Sequence, residues 1–513
     1  MPDSKWLKLT GWTCLVTTLI CVSVSAQSPD TKETPKAPPA KPDSKSAPDA
    51  KPSTSNPSAP AATKPGTTEA KKPADAAKAD VPATFKPPEV NLAESYRDPR
   101  VDDAMNADLI KELPTPKPVF SQNEEKQVIA IAGGRGDLVT RSINRFVEAK
   151  AADLTNKKAI ETLISGEGTV NTLVRPIETA TKQLIRASRD SNAAANSPFM
   201  SAYVATLIRV LQPQLKAHLV TRVQVAQVFA ATGSVDVIPI LVSIIGDETQ
   251  PWQVKMIALE GINNVIQGGK RSLGFSQRTQ LTVAVQNMLR EEKNPPWFLE
   301  SLASKLIGNL RIVSELVSER KVEPAETLLG FLIDPAEHAE VRFEAARSLG
   351  LLDIPNQFRP FNYLLVATSV ADAVAQTGTQ VAGMTPTDSS RAQQLVAIMA
   401  DKVSPSFLGI QGILDSGILR QAEVGKAEAE TRKAIDTLFA KIKDVVNTAS
   451  NFTRARGELV QARRTDLQSQ VVELKKLVDK YQPKDRTLVK GGKAFEIKGT
   501  AAPAQVAQGS SSL

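Results

Sequence analysis

Residues 334–350 read DPAEHAEVRFEAARSLG, and this stretch decides how the rest of the chain is interpreted. Val341, Ala345 and Leu349 recur every four residues, which is the spacing of one face of an α-helix. An Asp-Pro pair comes before these residues and Gly350 comes directly after them, as expected for a break and for a helix end. The stretch therefore predicts one short helix between two breaks.

Three earlier stretches share its order of an apolar residue, a polar residue and a small residue about one turn later. They read TRVQVA (221–226), QVKMIA (253–258) and FLESLA (298–303). The final alanines Ala226, Ala258, Ala303 and Ala345 are spaced by about 32, 45 and 42 residues, which fits a repeating unit of two helices. We expect these alanines to lie where two helices cross closely, because a larger side chain would push the helices apart.

The last stretch resembles the second helix of a HEAT repeat. A second, looser match is carried by Asp247, Pro251, Val254, Lys255, Ala258 and Leu259. The resemblance covers residues 200–355 and implies an α-solenoid whose usual work is to bind other proteins along a curved face. The first and third stretches depart from the pattern, because Gln224 and Glu300 stand where the other two have a basic residue. A charged ladder between repeats is therefore in doubt.

Helical spacing continues from about residue 102 to residue 482, interrupted by short breakers. The breakers are Gly133-Gly134, Thr232-Gly233, Gly268-Gly269, Asn294-Pro295-Pro296 and Asp353-Ile354-Pro355. No stretch alternates apolar and polar residues for long, and only residues 486–498 (RTLVKGGKAFEIK) look like a strand hairpin. The sequence thus predicts an all-α protein of stacked helical hairpins, since such a length of helix is too great for one bundle.

Composition divides the chain into five segments. Pro, Ala and Lys dominate the region before the helices, which is typical of a disordered linker with polyproline II character. After residue 416 the helices lengthen and become basic, which indicates a long helical hairpin packed on the body or a short coiled coil. The predicted segments are a signal peptide (1–26), the linker (27–92), a HEAT-like helical domain (93–415), the basic long-helix region (416–482), and a short hairpin with a flexible tail (483–513).

The N-terminus has the features of an export signal. Lys5 and Lys8 precede the apolar run WTCLVTTLICVSV (12–24), and Val24 and Ala26 suit the cleavage pocket of a signal peptidase. Cleavage is favoured over a retained anchor, because the run is too short to cross a bilayer comfortably. Both cysteines of the chain lie in this signal, so the mature protein would use no disulfide. We expect an exported bacterial protein that is periplasmic, envelope-bound or secreted.

The net charge of +8 is concentrated near the C-terminus, where residues 417–500 carry about +7. The densest basic cluster is Arg454, Arg456, Arg463 and Arg464. It is either a solvated helix face or an anchor for an anionic envelope polymer or membrane surface. Nucleic acid is not expected as a partner, because the protein is predicted to be exported and no aromatic residues interleave with these arginines.

Residues that usually carry catalysis are scarce. The only histidines, His218 and His338, are far apart and form no metal motif, so no catalytic, cofactor-binding or metal-binding residue is predicted. His338 is expected in an exposed turn and His218 at a helix junction. An (α/α) toroid that degrades polysaccharide is the enzyme alternative. Its candidate carboxylates are Asp102, Asp103, Asp247 and Asp334, and its candidate sugar platforms are Trp252 and Trp297.

An aromatic content of 4% argues against such a sugar cleft. The sequence therefore favours a non-catalytic protein–protein interaction scaffold, with the solenoid as the binding surface. The alternative is a structural envelope protein whose basic C-terminal helices bind an anionic polymer or a membrane surface. The toroid enzyme is the second alternative.

Overall fold

A computed structural model describes residues 98–111, 113, 120–165, 170–189, 198–268, 273–314 and 321–495. All of these residues belong to one compact unit. They fold into helices joined by turns, and no strand forms among them, which confirms the all-α prediction for this part of the chain. The predicted signal, the linker and the C-terminal tail lie outside the described residues. No helix in the described ranges combines the length and the apolar character needed to cross a membrane.

The first nine helices precede residue 268. They are α1 (Pro99–Ala104), α2 (Gln122–Ala132), α3 (Thr140–Leu154), α4 (Lys157–Ser165), α5 (Val170–Arg189), α6 (Pro198–Leu211), α7 (Leu219–Ala231), α8 (Ile238–Ile245) and α9 (Trp252–Gln267).

The remaining helices include the two long ones near the C-terminus. They are α10 (Phe275–Glu291), α11 (Trp297–Leu310), α12 (Glu323–Ile333), α13 (Ala339–Leu349), α14 (Tyr363–Gly383), α15 (Ser389–Leu408), α16 (Ile418–Val424), α17 (Ala429–Arg454) and α18 (Leu459–Tyr481). Every breaker identified in the sequence falls between two of these helices or at a helix end.

Every second helix packs against the next one in a continuous row. The members of this row, in order of contact, are α3, α5, α7, α9, α11, α13, α15 and α17. The helices between them pair with their row neighbours, as α8 does with α9, α10 with α11 and α12 with α13. Each inner row helix therefore contacts the row helix before it and the row helix after it.

The row ends in a helical hairpin. The turn between α17 and α18 is short, and both helices pack against each other and against α14. Lys441 of α17 bonds to Gln470 and Glu473 of α18. The strand hairpin predicted at 486–498 does not form among its described residues, 486–495. This segment makes a single antiparallel bridge between Thr487 and Ala494, and a second bridge from Val489 reaches Phe361 ahead of α14.

The stretch that opened the sequence analysis forms α13. Its backbone begins after His338, whose Nδ1 accepts the N–H of Glu340 at 3.2 Å, and ends at Gly350. Val341 and Ala345 are fully buried and Leu349 nearly so. Because α11, α12, α14 and α15 surround α13, its polar residues are buried as well, including Arg342 and Glu344.

Small residues set the separation of the row helices. The alanines at positions 226, 258, 303 and 345 have no exposed surface. In α9, a Cβ added to Gly261 would lie 2.8 Å from both Cα and Cβ of Ala230 in α7. That is closer than carbon atoms approach, so α7 and α9 touch through backbone and a single methyl group.

We expect Gly261→Ala to lower the free energy of unfolding by about 1–3 kcal/mol, because α7 and α9 would have to separate. Gly330→Ala in α12 is the matched control, since no atom lies within 4 Å of its added Cβ. The control should be neutral or stabilising by up to about 1 kcal/mol, because alanine favours helix over glycine. Urea unfolding of both variants measures the difference, and equal effects would contradict close packing at Gly261.

Candidate functional site

Four row helices begin along one edge of the row, which we name the N-terminal edge. It consists of the first four residues of α7, α9, α11 and α13 and the residue that precedes each helix. Contacts join the successive helix starts: Trp252 of α9 lies 4.7 Å from Phe298 of α11, and Trp297 of α11 lies 4.3 Å from His338 before α13, measured between ring centroids. The same end of each helix therefore faces one side.

The fourth residue of each of these helices is charged and buried. The residues are Arg222, Lys255, Glu300 and Arg342, each no more than 9% exposed. Arg222 donates from Nε to the carbonyl of Ala217, and Lys255 bonds at 2.5 Å to Glu292 in the turn before α11. Since a buried charge is expensive without a partner, each basic member bonds to a group close to the start of its helix. For Arg342 this group is the carbonyl of Leu332 near the end of α12.

The positions of these four residues correct the alignment of the repeated stretches that the sequence suggested. Gln224 does not take the place of the basic residue in the first stretch, because Arg222 holds the same helical position as Lys255 and Arg342. The Gln224 amide oxygen instead accepts a hydrogen bond at 2.7 Å from Thr181 in α5. Among the fourth residues of these four helices, only Glu300 is not basic.

At Glu300 the edge holds two carboxyl groups, which we name the acid pair, Glu300 and Glu337. Their side chains are hydrogen-bonded to each other, which requires a shared proton. Burial, and then the charge of Glu337, raise the pKa of Glu300 to about 8. Burial and the charge of Asp334 also raise the pKa of Glu337, although Arg342 acts in the opposite direction. The pair is therefore uncharged or singly charged near neutral pH.

Four rings form a continuous aromatic stripe along the same edge: Trp252, Phe298, Trp297 and His338. All four are half-buried, so each presents part of a ring face or edge to solvent. His338 is therefore not the exposed turn residue that the sequence suggested, because it stacks on Trp297 and caps α13. Burial, together with the charge of Arg391, lowers the pKa of His338.

A segment from outside the row lies across this edge. We name residues 98–110 the strap; it contains α1 and a single turn of 3₁₀ helix at Ala107–Leu109. His218, fully buried at the start of α7, donates its backbone N–H to the carbonyl of Leu109 at 3.0 Å. Its Nδ1 accepts the N–H of Val220, and its Nε2 lies 3.2 Å from the carbonyl of Met105. A neutral His218 with the proton on Nε2 satisfies all three contacts.

The other end of the strap is held by charge. The Asp98 carboxylate accepts the backbone N–H of Trp252 at 2.7 Å, which places a negative charge at the N-terminus of α9. Arg100 binds both oxygens of Glu292 and also pairs with Asp98. Burial lowers the pKa of Arg100, but the bonds to Asp98 and Glu292 outweigh that effect and raise the pKa. A cavity of about 260 Å³ lies beside these groups.

The sequence analysis named Trp252, Trp297, His218 and His338 as separate residues. The fold brings all four to the N-terminal edge. The strap, by contrast, was not predicted, although Asp102 and Asp103 within it were considered as candidate carboxylates. Its contacts to the row are made mainly by backbone carbonyls and by charges, and their partners are more than 100 residues away in the chain.

The carboxylates considered for a toroid enzyme belong to three segments: the strap, the turn before α9 and the turn before α13. Asp102 and Asp103 are exposed on α1 of the strap. Asp247 precedes α9 and binds Thr249, whereas Asp334 precedes α13 and accepts the N–H of Ala336. Within the described residues, no group of three or more His, Cys, Asp or Glu side chains could hold a metal ion.

The basic cluster of the C-terminal hairpin is divided by the fold. Arg454, Arg456 and Arg463 are exposed around the turn between α17 and α18. Arg464 is half-buried: its Nη2 donates to the carbonyl of Met384 at 3.0 Å, and its guanidinium lies over Phe452. Arg464 therefore holds the hairpin on the body.

No protein-family model, curated protein or solved structure matches this chain. The resemblance to HEAT repeats thus rests on the residues quoted above.

We expect stability to fall as the pH rises through the titration of Glu300. The pKa of Glu300 is raised to about 8 from an ordinary value of 4.5, so the folded state holds a proton that the unfolded state releases. The stability from this group is complete below pH 4.5 and is lost as the pH passes 8. Glu300→Gln should flatten that decline in chemical unfolding measured at several pH values. Glu430→Gln, at an exposed position in α17, should retain it.

We expect Asp98→Ala to lower the free energy of unfolding by about 1–2 kcal/mol, because α1 and α9 both lose the carboxylate that caps them. Hydrogen exchange of the Trp252 amide should also become faster. Asp103→Ala, an exposed position on the same short helix, is the control and should change neither quantity. Unchanged exchange at Trp252 in Asp98→Ala would show that the strap does not depend on this bond.

Proposed function

We propose that this protein is an exported, non-catalytic protein-binding scaffold built as a HEAT-like α-solenoid. The order of helix contacts supports the solenoid, because each row helix meets the next and its own hairpin partner. Export is supported by the N-terminal sequence pattern. The binding surface in this proposal is the N-terminal edge.

The observation that carries the proposal is the strap. A segment outside the row crosses the starts of α7 and α9 and is bound through its backbone carbonyls at His218 and through Asp98 at Trp252. This chemistry needs few particular side chains, since helix N-termini offer unpaired N–H groups to any acceptor. A segment of another protein that presents carbonyls and carboxylates could use the same groups.

Beyond the strap, the edge continues with groups suited to a cation. Arg100 of the strap lines the same cavity as Trp252 and binds Glu292. One helix further along the row, Trp297 and the acid pair repeat the combination of an indole ring and carboxyl groups. A Lys or Arg of a partner segment would supply the positive charge that the ladder lacks at Glu300, and would meet a ring face able to attract it.

We expect Glu337→Lys to abolish capture of the partner while leaving the fold intact. Glu337 is half-buried at the edge, so a lysine there would repel a cationic segment and would pair with Glu300. The full chain, this variant and Glu430→Lys are used as baits in an envelope extract of the source organism. Proteins retained by wild type and by the exposed control, and lost from Glu337→Lys at unchanged melting temperature, identify edge-dependent partners. Identical sets from all three baits would contradict the proposal.

The structural envelope role remains the second candidate. It is favoured by Arg454 and Arg456, which are exposed at the turn between α17 and α18 and are followed by Arg463. An anionic polymer bound there would be released by salt, because exposed charges are screened within about 10 Å at moderate ionic strength. The toroid enzyme is not favoured, because none of its four candidate carboxylates lines the cavity beside the strap.

A further inference from the structure

The two histidines of the chain hold the same position at the starts of two row helices. His218 directly precedes α7 and His338 directly precedes α13. Each uses Nδ1 to accept the backbone N–H two residues further along the chain, at 3.3 Å from Val220 and 3.2 Å from Glu340. Since Nδ1 can accept only while it carries no proton, both caps require a neutral imidazole. Both helix starts therefore depend on a type of side chain that titrates between about pH 5 and 8.

His218 also holds the strap. Its Nε2 lies 3.2 Å from the carbonyl of Met105, and its backbone N–H donates to the carbonyl of Leu109 at 3.0 Å. Because a carbonyl can only accept, Nε2 must carry the single ring proton. One residue thus joins the start of α7 to the strap at two points, and a change in the charge of its ring affects both.

The surroundings of His218 disfavour a charged ring. The residue has no exposed surface, and a second proton would place a positive charge at the positive end of the α7 dipole. Burial lowers the pKa of His218, the bond to the Met105 carbonyl raises it, and the charge of Arg222 lowers it. Burial outweighs the bond to Met105, so the pKa lies below its ordinary value of 6.5.

The charged side chains around His218 offer little compensation. Arg222, on the same helix, bonds to the carbonyls of Lys216 and Ala217, and Asp247 in the turn before α9 acts on Arg222. The other charged side chains of the segments next to His218 are exposed: Lys216, Asp102, Asp103 and Asp108. Water and salt screen exposed carboxylates, so these would stabilise a buried imidazolium only weakly.

Binding of a proton to His218 and binding of the strap therefore oppose each other. When the strap leaves, water reaches the ring and the pKa of His218 returns toward 6.5. The released form then takes up a proton more readily than the bound form, so a falling pH favours release. The bound form keeps its full advantage above pH 6.5 and loses up to about tenfold in the equilibrium for each pH unit below that value.

The other end of the strap does not share this dependence. Arg100 binds both oxygens of Glu292 and pairs with Asp98, which accepts the N–H of Trp252. Burial acts to raise the pKa of Glu292, but the bonds from Arg100 and Lys255 outweigh it and lower the pKa. Glu292 therefore keeps its charge at the pH at which a histidine becomes protonated.

We propose that the strap is an acid-released latch: protonation of His218 detaches residues 105–110 from the start of α7, while Asp98 and Arg100 keep the other end attached. Release leaves the backbone N–H of His218 free at the N-terminal edge, where a carbonyl of a partner segment can accept it. The edge is then more open to a partner in acidic surroundings. This last consequence rests on the proposed function, whereas release of the strap does not.

Hydrogen exchange of the full chain at about pH 7.5 and about pH 5 tests the latch without any partner. Protection factors are used, so that the intrinsic effect of pH on exchange is removed. The amides of His218 and Val220 should lose about 10–30-fold in protection at the lower pH, because their acceptors move away. The amide of Trp252, which Asp98 accepts, should change little.

His218→Asn separates the proton from the contacts. Asparagine is a favoured helix cap: its oxygen can accept the N–H of Val220 and its amide group can donate to Met105, but it does not titrate in this range. The amides at positions 218 and 220 should then be equally protected at both pH values. His338→Asn is the matched control, because it makes the same change at the start of α13 and leaves His218 in place. It should lose protection as wild type does.

Three results would overturn the proposal. They are equal protection of the His218 amide at both pH values in wild type, an equal loss at position 218 in His218→Asn, and a loss at Trp252 as large as that at His218. The second would assign release to another group, and the third would show that the whole strap leaves. If His218→Asn does not fold, the amides of His218 and Trp252 in wild type and His338→Asn still decide the outcome. Because no partner is present, the result is separate from that of Glu337→Lys.

Discussion

The close approach of successive row helices is the constraint on which the rest of this structure depends. Helices α7 and α9 touch where Gly261 faces Ala230, and Gly308 of α11 lies equally close to Ser348 of α13. The distance between two packed helix axes depends on the side chains at the contact, and small residues at the crossing points bring the axes closest. Because row helices repeat at this spacing, the side chains at their starts come within contact distance of each other. The aromatic stripe and the charged ladder are consequences of that spacing.

Burial at the edge then determines the charges. Lys255 is 3% exposed and is stabilised by Glu292, which in turn binds Arg100 of the strap. In α11 the residue at the equivalent position is Glu300, and the neighbouring side chain, Glu337, is also an acid. Two carboxyl groups in contact cannot both ionise, so the edge changes there from paired charges to a shared proton. This is the point along the row where an external cation would gain most.

The N-terminal edge already binds a segment of the same chain, the strap, which is why it is the preferred surface for a partner. The exposed arginines at the turn between α17 and α18 lie outside this edge.

The sequence by itself determined the helical class and the positions of the breaks. These are local properties: periodicity and Pro and Gly signals act within a few residues. The sequence did not identify Gly261 and Gly308, the small residues at which the row helices approach each other closely. The stretch at 334–350 was sufficient to place α13 between its two ends. The sequence was less able to show which polar residue of α7 corresponds to Lys255 and Arg342. Arg222 and Gln224 are only two positions apart, and the contact of Gln224 with Thr181 is what distinguishes them.

Tertiary structure decided everything that joins distant residues. His338 looked like an exposed turn residue, and it is a half-buried cap because Trp297 of the preceding row helix stacks on it. Arg464 looked like part of a binding cluster, yet Met384 and Phe452 hold it against the body. The acid pair and the strap likewise depend on groups brought together from far along the chain. Pairings of this kind carry no local signal, because the energy that selects them comes from burial and from partners that only packing supplies.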